Sequence, residues 1–503
     1  QHPRRNREEH LSRPRHRYIG THPVPSCALV ACRLPNEQEH WVIMPVISCG
    51  APKWRRALGA STSGILLLLS VLGTLQIQIS QAFAATPITP THQSNVIISG
   101  GGPAGILVSI LLNNIGIKST IFEEAQNPDE WSSKSYAMSI NERGKTALKA
   151  GKCLESVRRA GNEKTCNYFV DGSTGNVQTI PRKEPTPGIG LSRPLLVECI
   201  EDVAKDLPHV TLRRGVGVAK VTEDDNDGEL TVHLEDGTVI SGVSHVVGAD
   251  GKWSKVRQSF PSLNSQAKLV SCTGFGVLMY GDFAPDGWKT DGSYVIFPPK
   301  EDESIPQDFY IIGSPLMNGG MALAMVCSDG ITERYPWLRP EGKEGGSWED
   351  ETSLEEELSV DSATNSNDLS TNLEKMLQET VPAFHAAIDN SFYRTARINR
   401  RATWLQMSPA KGKGKEVSYS TEKGNVALIG DAAHAMTASM GEGGNTAMES
   451  AVKLVDAVSS IMKEKGETTC TVDTLNAGFI KYGMSRPKDV QPIQEMSAAR
   501  NNK

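Results

Sequence analysis

The sequence is short of several things, and each shortage removes a class of function. Aromatic residues make up only 6% of its 503 residues, too few for the stacking platforms on which single-stranded nucleic acids lie. Positive charge is not in excess. The 52 Lys and Arg are outnumbered by 58 Asp and Glu, giving a formal net charge of −6, so no general basic field for nucleic acid exists. No Cys-x-x-Cys pair is present, and the nine cysteines are scattered and odd in number. That pattern signals neither a disulfide framework nor a zinc cluster, and it leaves several cysteines as small apolar core residues. No His-Glu-x-x-His occurs and no Ser-His-Asp or Cys-His arrangement can be assigned, so no metal is expected. A mean hydropathy of −0.31 excludes a polytopic membrane protein. What remains is a globular composition, 38% hydrophobic and 22% charged.

The first 93 residues differ from the rest. The chain opens on Gln1 and carries Arg4, Arg5, Arg7, Arg13, Arg15 and Arg17 amid little apolar content. Residues 1–43 are therefore expected to be a disordered or spurious upstream arm. After Met44 come Lys53, Arg55 and Arg56, the apolar run Ile65 to Leu75, and small residues around Gln81-Ala82-Phe83-Ala84. A positive region, a short apolar region and a small-residue site describe a secretory signal over residues 44–93. The run is short of the roughly 20 residues of a membrane span. The alternatives are an uncleaved signal anchor, with membrane association through this segment only, or plain entry to the endomembrane system. The Ala82-Phe83 junction resembles the targeting junction of proteins sent to the complex plastids of algae, which implies a plastid destination.

Residues 94–105 read SNVIISGGGPAG. Val96, Ile97 and Ile98 form the continuous apolar run of a parallel strand buried on both faces. Gly100, Gly102 and Gly105 complete G-x-G-x-x-G, after which Ile106, Leu107, Ile110 and Leu111 recur at helical spacing. A second strand, Lys118 to Phe122, ends at Glu123, 23 positions after Gly100. The order strand, glycine turn, helix, strand, acid is that of a dinucleotide fold. Glycines admit the tight turn and the pyrophosphate, the helix N-terminus faces the phosphates, and the acid accepts from ribose hydroxyls. Two further strands end in turns. Val246-Val247 runs into Gly248-Ala249-Asp250-Gly251, with Ser254 and Arg257 following. Val426 to Ile429 runs into Gly430-Asp431, then a second glycine turn, Gly441-Glu442-Gly443-Gly444-Asn445, and an amphipathic helix.

Taken together, these motifs resemble the class A flavoprotein monooxygenases, the para-hydroxybenzoate hydroxylase family. Ser135–Leu148, Leu191-Ser192-Arg193-Pro194 and Tyr482–Val490 bring the likeness closest to kynurenine 3-monooxygenase-like proteins. The resemblance implies an α/β fold, a Rossmann-like FAD-binding domain interleaved with a sheet-based substrate domain. It implies FAD as cofactor and NAD(P)H as co-substrate. The FAD would be held by Gly100, Gly102, Gly105, Glu123, Arg193, Asp250, Gly251, Gly430, Asp431, Gly441, Gly443, Gly444 and Asn445. The implied reaction is hydroxylation of a small aromatic substrate by O2 through a flavin C4a-hydroperoxide, with no nucleic acid partner. Alternatives are an epoxidase or hydroxylase of an isoprenoid or quinone, or a flavin-binding protein without turnover.

The sequence departs from the family at Ala438, where Pro is common, and at Glu442, where Gln is usual. Lys134 stands where the family's kynurenine enzymes put a substrate-carboxylate Arg; a lysine is a point charge without a bidentate fork. By this likeness the FAD lobe covers about 94–160, 241–264 and 405–503, and the substrate lobe about 161–240 and 265–404, within one unit, 94–503. Strands near Gly274–Tyr280, Tyr294–Phe297 and Asp308–Gly313 are expected to roof the flavin. Met279, Phe297, Tyr310 and Trp404 are either pocket lining or plain core. The group Arg394, Arg397, Arg400 and Arg401 either meets an NADPH phosphate or substrate carboxylate, or is a solvated face. His434 is an acid or base, or structural. The acidic segment 341–372 is expected to be a mobile surface insertion.

Overall fold

A computed structural model describes residues 29–32, 42–45, 95–128, 137–183, 187–224, 228–271, 274–299, 305–317, 319–338, 366–398, 403–409 and 416–501. The chain divides into two units, Gln1–Ala84 and Ala85–Lys503. In the first, strands Leu29–Cys32 and Val42–Pro45 pair antiparallel, Leu29 opposite Pro45. The first strand lies in the arm expected to be disordered or spurious, and the second crosses from it into the expected signal segment at Met44; Leu29-Val30 and Val42-Ile43 are apolar, largely β-branched residues that favour extended backbone. The remainder of the expected signal falls outside the described residues. No described helix is long and apolar enough to cross a membrane.

In the second unit a parallel sheet carries the glycine turns. Its spatial order is Val210–Arg214, Lys118–Glu123, Asn95–Ser99, His245–Gly248, Val426–Leu428. Counted along the chain this is 3-2-1-4-5, so the direction of winding reverses between Asn95–Ser99 and His245–Gly248. In such sheets the crevice for a ligand lies at the carboxyl ends of the strands flanking that reversal. Val96, Ile97 and Ile98 are at most 1% exposed. They share one core with helices Pro103–Asn114, Arg193–Ala204 and Gly443–Lys465.

Residues 188–240, expected in the substrate lobe, pack with the parallel sheet instead. Val210–Arg214 is the outer strand of the parallel sheet. The meander Val218–Glu223, Leu230–Leu234, Val239–Val243 buries Val221, Leu230 and Val232 in the same core. The cause is topological: a parallel strand needs a long crossover, and here the crossover is itself a meander that reads as a separate sheet in sequence.

The second core lies under a seven-stranded sheet, ordered Arg397–Ile398, Phe275–Gly281, Met321–Cys327, Phe309–Pro315, Gly292–Phe297, Cys166–Asp171, Val177–Pro181. Alternate residues, among them Val277, Met279, Tyr294, Ile296, Ile311 and Met325, pack against helices Ser366–Thr380, Pro382–Ala387 and Asn390–Arg394. Residues 366–372, expected in a mobile insertion, begin the first of these helices, whose Leu373, Met376 and Leu377 are buried at helical spacing. An antiparallel ribbon, Ala267–Ser271 with Thr403–Met407, buries Leu405 and Met407 in the core of the parallel sheet and links that sheet in the chain to the seven-stranded one. Among the described residues Cys153, Cys166, Cys199, Cys327 and Cys470 are free thiols.

Candidate functional site

Strand register assembles the site. Ser99 is opposite Gly248, and Gly248 is opposite Leu428. The turns beginning at Gly100, Ala249 and Ile429 therefore leave the sheet side by side at one edge, although more than 300 residues of sequence separate the first from the last. The approach is tight. Gly100 has φ +101°, and a Cβ there would lie 2.4 Å from the Ala249 carbonyl oxygen. A Cβ on Gly105 would lie 2.0 Å from the carbonyl oxygen of Gly100, so the helix can begin directly against the turn only with hydrogen at that position.

Helix Pro103–Asn114 starts with Pro in its first turn, and no side chain caps it at Gly102. Its first N–H groups and its positive end are thus left for a ligand. A Cβ on Gly102 would be in ordinary van der Waals contact with Arg193 Nη2, at 3.7 Å, and would meet nothing nearer. Arg193 opens its own helix, capped by the Ser192 hydroxyl, which accepts from Leu195 N at 3.4 Å. Glu123 is 6% exposed. Its Oε2 accepts from Gly101 N at 2.5 Å and its Oε1 from Ala125 N at 3.0 Å, so this acid also holds the glycine turn in shape.

Asp431 begins the short helix Asp431–His434. It keeps accessible surface, yet desolvation pushes its carboxyl above the ordinary aspartate value against the opposing pull of Arg193 and Lys252. Both facts hold for a carboxyl on the floor of a cleft, enclosed on most sides and open on one. Asp250 Oδ2 accepts from Val256 N at 3.0 Å, while Oδ1 is buried and, among the described residues, without a hydrogen-bond partner. Burial raises the Asp250 carboxyl too. Arg257, only 4% exposed, donates to the Ala432 carbonyl at 2.7 Å and the Lys252 carbonyl at 2.8 Å. It clamps the second turn to the third rather than facing the cleft.

Gly441 closes the 3-10 turn Ala438–Met440, and helix Gly443–Lys465 follows without a side-chain cap. Asn445 is 1% exposed, and its amide is spent on the protein. Its Nδ2 donates to the Ser139 and Gly441 carbonyls, both at 2.9 Å, and its Oδ1 accepts from Asn141 N at 3.1 Å. This side chain fixes the loop and leaves the backbone N–H groups of Gly443, Gly444 and Asn445, at the uncapped helix start, for a ligand. Behind the loop runs a ladder that sequence alone does not reveal. Asn141 Nδ2 donates to Glu442 at 2.9 Å, Arg143 bonds Glu449 at 2.8 Å, and Arg486 bonds Glu449 at 2.6 Å. Arg486 also donates to Ser450 at 3.0 Å, which meets His434 Nε2 at 2.8 Å. His434 is fully buried, and burial, aided by Arg486, lowers its pKa to about 3. It is a neutral structural group at ordinary pH.

Lys134 lies outside the described residues. Of the possible pocket residues, Met279 is fully buried on the helix-covered face of the seven-stranded sheet, because strand side chains alternate and it shares a face with Val277. Phe297 and Tyr310 point to the opposite face. Their rings lie 6.0 Å apart, and Phe169 stacks on Phe297 at 6.3 Å. Trp404 lies on the connecting ribbon. Lys252, unremarked in the sequence, donates to Thr403 Oγ1 on that ribbon at 2.6 Å. Among the described residues no cluster suited to a metal ion occurs.

A family model described as FAD binding domain matches residues 93–472. The chain is 24% identical over 446 residues to a chloroplastic zeaxanthin epoxidase of Nicotiana plumbaginifolia, covering 85% of this chain and 58% of that protein. It is 23% identical over 430 residues to the FAD-dependent monooxygenase olcE of Penicillium canescens, covering 78% of each. The chain thus spans little more than half the length of the zeaxanthin epoxidases it matches. Klebsiella pneumoniae HpxO complexed with FAD and uric acid superposes with a TM-score of 0.58 at 18% identity, covering 82% of this chain and 88% of that one. The tetrameric form of 2-methyl-3-hydroxypyridine-5-carboxylic acid oxygenase does so at 0.55 and 17%, covering 82% and 91%. At such identities the likeness is one of fold.

Proposed function

The chain belongs to the FAD binding domain family; from that premise we propose that it is a class A FAD-dependent monooxygenase, as its similarity to such enzymes supports, and that it hydroxylates a small aromatic substrate with O2 and NAD(P)H, in the manner of kynurenine 3-monooxygenase. The observation that carries this reading is the convergence of three strand-end turns on one cleft that fits FAD. The fit rests on the uncapped helix start at Gly102, where a Cβ would meet only the Arg193 guanidinium, the accessible Asp431 and Asp250 Oδ1, which has no hydrogen-bond partner among the described residues.

In this reading Gly100, Gly102 and Gly105 let the pyrophosphate reach the backbone, and Glu123 and Arg193 flank the adenosine side. Asp431 accepts from ribityl hydroxyls. Asp250 and Gly251 shape the wall between them. When bound, the flavin supplies the electron transfer from NAD(P)H to oxygen that monooxygenation requires. The N–H groups of Gly443, Gly444 and Asn445, with the positive end of their helix, stabilise negative charge at the ring. The open face of the seven-stranded sheet, with Phe169, Phe297 and Tyr310, excludes water and takes the substrate ring.

A second reading, oxygen transfer to an isoprenoid or quinone, is supported by the similarity to zeaxanthin epoxidases and by the breadth of that face, where Ile312 is 38% exposed. The chloroplastic names of those relatives likewise support a plastid destination. A tagged protein followed in plastid-bearing algal cells tests it, and a diffuse cytosolic signal refutes it. The deciding experiment for the reaction is NADPH oxidation by the FAD-loaded protein with L-kynurenine, a series of phenols, and carotenoids. Acceleration by kynurenine or phenols with a hydroxylated product supports the first reading. Acceleration by carotenoids alone replaces it with the second. Inability to take up FAD refutes both.

A further inference from the structure

The arginines preceding the third turn have no role in the reading above. Arg394 is exposed at the end of its short helix, and Arg400 and Arg401 lie outside the described residues. Arg397 is different. It sits on the edge strand of the seven-stranded sheet, opposite Leu278, while Ile398 stands opposite Val277. Residues directly opposed in an antiparallel pair point to the same face. Val277 belongs to the helix-covered core, so Arg397 and Leu278 lie on the other, open face. The guanidinium lies over the ring of Tyr280, 6.0 Å from its centroid, and Leu278 beside it is only 5% exposed. Nη2 is buried and, among the described residues, has no hydrogen-bond partner. Among the described residues no carboxylate contributes to its electrostatic surroundings, whose one titratable neighbour is Tyr280.

A long arginine on a sheet edge can turn its head into water at little cost. This one is held against a ring and an aliphatic side chain with a donor unspent, and an unmatched buried donor on a cation is costly. The arrangement is stabilised if an anion arrives with the ligand. We propose that Arg397, seated on Tyr280, binds an anionic group of the substrate, a carboxylate or similar planar oxyanion, and so selects acids over their neutral counterparts. The planar fork matches two oxygens at once, the ring fixes its plane, and Leu278 keeps water from screening the pair. Beyond Leu278 and Tyr280 the next strand presents Ala324 and Ala322, whose small side chains leave room for the body of the molecule. This inference rests on the oxygenase reading of the cleft and adds the chemical class of its substrate.

The test uses the FAD-loaded full chain and measures binding by the change in flavin absorbance, without turnover. The probes are L-kynurenine and 4-hydroxybenzoate, each against its amide. Wild type should bind at least one acid about 10- to 100-fold more tightly than its amide, the range for a hydrogen-bonded charge pair. Arg397→Gln should bring acid and amide within about twofold, Arg397→Lys should keep part of the preference, and Tyr280→Leu should weaken the acid alone. FAD occupancy in each variant reports that the fold is intact. An undiminished preference in Arg397→Gln, or no preference for either acid in wild type, overturns the inference. Those results leave the oxygenase reading standing if NADPH oxidation still responds to a neutral phenol or carotenoid. Failure to bind FAD sinks that reading itself.

Discussion

Gly102→Ala and Gly105→Ala separate two reasons for a glycine, packing and ligand approach. At Gly105 the added carbon would stand 2.0 Å from the Gly100 carbonyl oxygen, and real Cβ atoms essentially never come within 3.0 Å of a neighbour. Helix and turn must therefore part by about 1 Å. Both are backbone, so no side-chain rotation relieves the clash, and the cost sits toward the upper end of the roughly 1–3 kcal/mol typical of overpacking. The same movement draws the first helical N–H groups away from a bound phosphate. Each hydrogen bond to a charged group is worth about 1.5–3 kcal/mol, so FAD affinity should fall by about 100-fold or more. At Gly102 the new methyl meets nothing nearer than Arg193 Nη2 at 3.7 Å, and φ is −72°. The apoprotein should lose less than about 1 kcal/mol, the scale of an unfavourable residue at a helix cap, yet FAD affinity should fall because the methyl projects into the cleft. The assay pairs denaturant unfolding of the apoproteins with FAD titration followed by fluorescence quenching. If Gly102→Ala binds FAD as wild type does, the pyrophosphate does not pass over Gly102. If Gly105→Ala is as stable as wild type, the packing argument is wrong.

Asp431→Ala should weaken FAD binding about 10- to 100-fold, the loss of hydrogen bonds to a charged acceptor, while full flavin occupancy at stoichiometric FAD would remove its ribityl role. Burial works against ionisation of Glu449, but hydrogen bonds from Arg143 and Arg486 hold its carboxyl below the ordinary value near 4.5. Its stabilising contribution is therefore present above that pH and lost as pH falls through the lower folded value. Glu449→Gln, which leaves the 1%-exposed Arg486 with Asp489 at 3.6 Å as its carboxylate partner, should cost about 2 kcal/mol at pH 7 and flatten that acid limb in unfolding titrations. Burial lowers His434 to about 3 and His245 to about 4. Bases depressed in the fold stabilise it fully above their unfolded value near 6.5 and progressively less as pH falls towards the folded value. Unfolding free energy should drop by about 1 kcal/mol per pH unit for each below pH 6.5. His434→Gln should remove one such contribution, and an unchanged slope would mean the ring is not kept neutral.

Much of the site was legible in the sequence because its pieces are local. The apolar run Val96–Ile98, the glycine spacing and the helical period after Pro103 each describe one short stretch of backbone, and steric rules allow few conformations for it. The turns after Val247 and Ile429 were legible in the same way. Tertiary structure decided what depends on register. Only the pairing of Ser99 with Gly248 and of Gly248 with Leu428 brings three distant turns to one edge. Only packing shows that Arg257 and the Asn445 amide serve the protein, and that Met279 faces the helices. The ladder joining positions 143, 449 and 486 and the position of Arg397 on the open face are equally invisible along the chain. The physical reason is one of range. Backbone sterics and side-chain periodicity act over a few residues, whereas hydrogen bonds between strands and contacts between helices join residues hundreds of positions apart, and no local pattern encodes their partners.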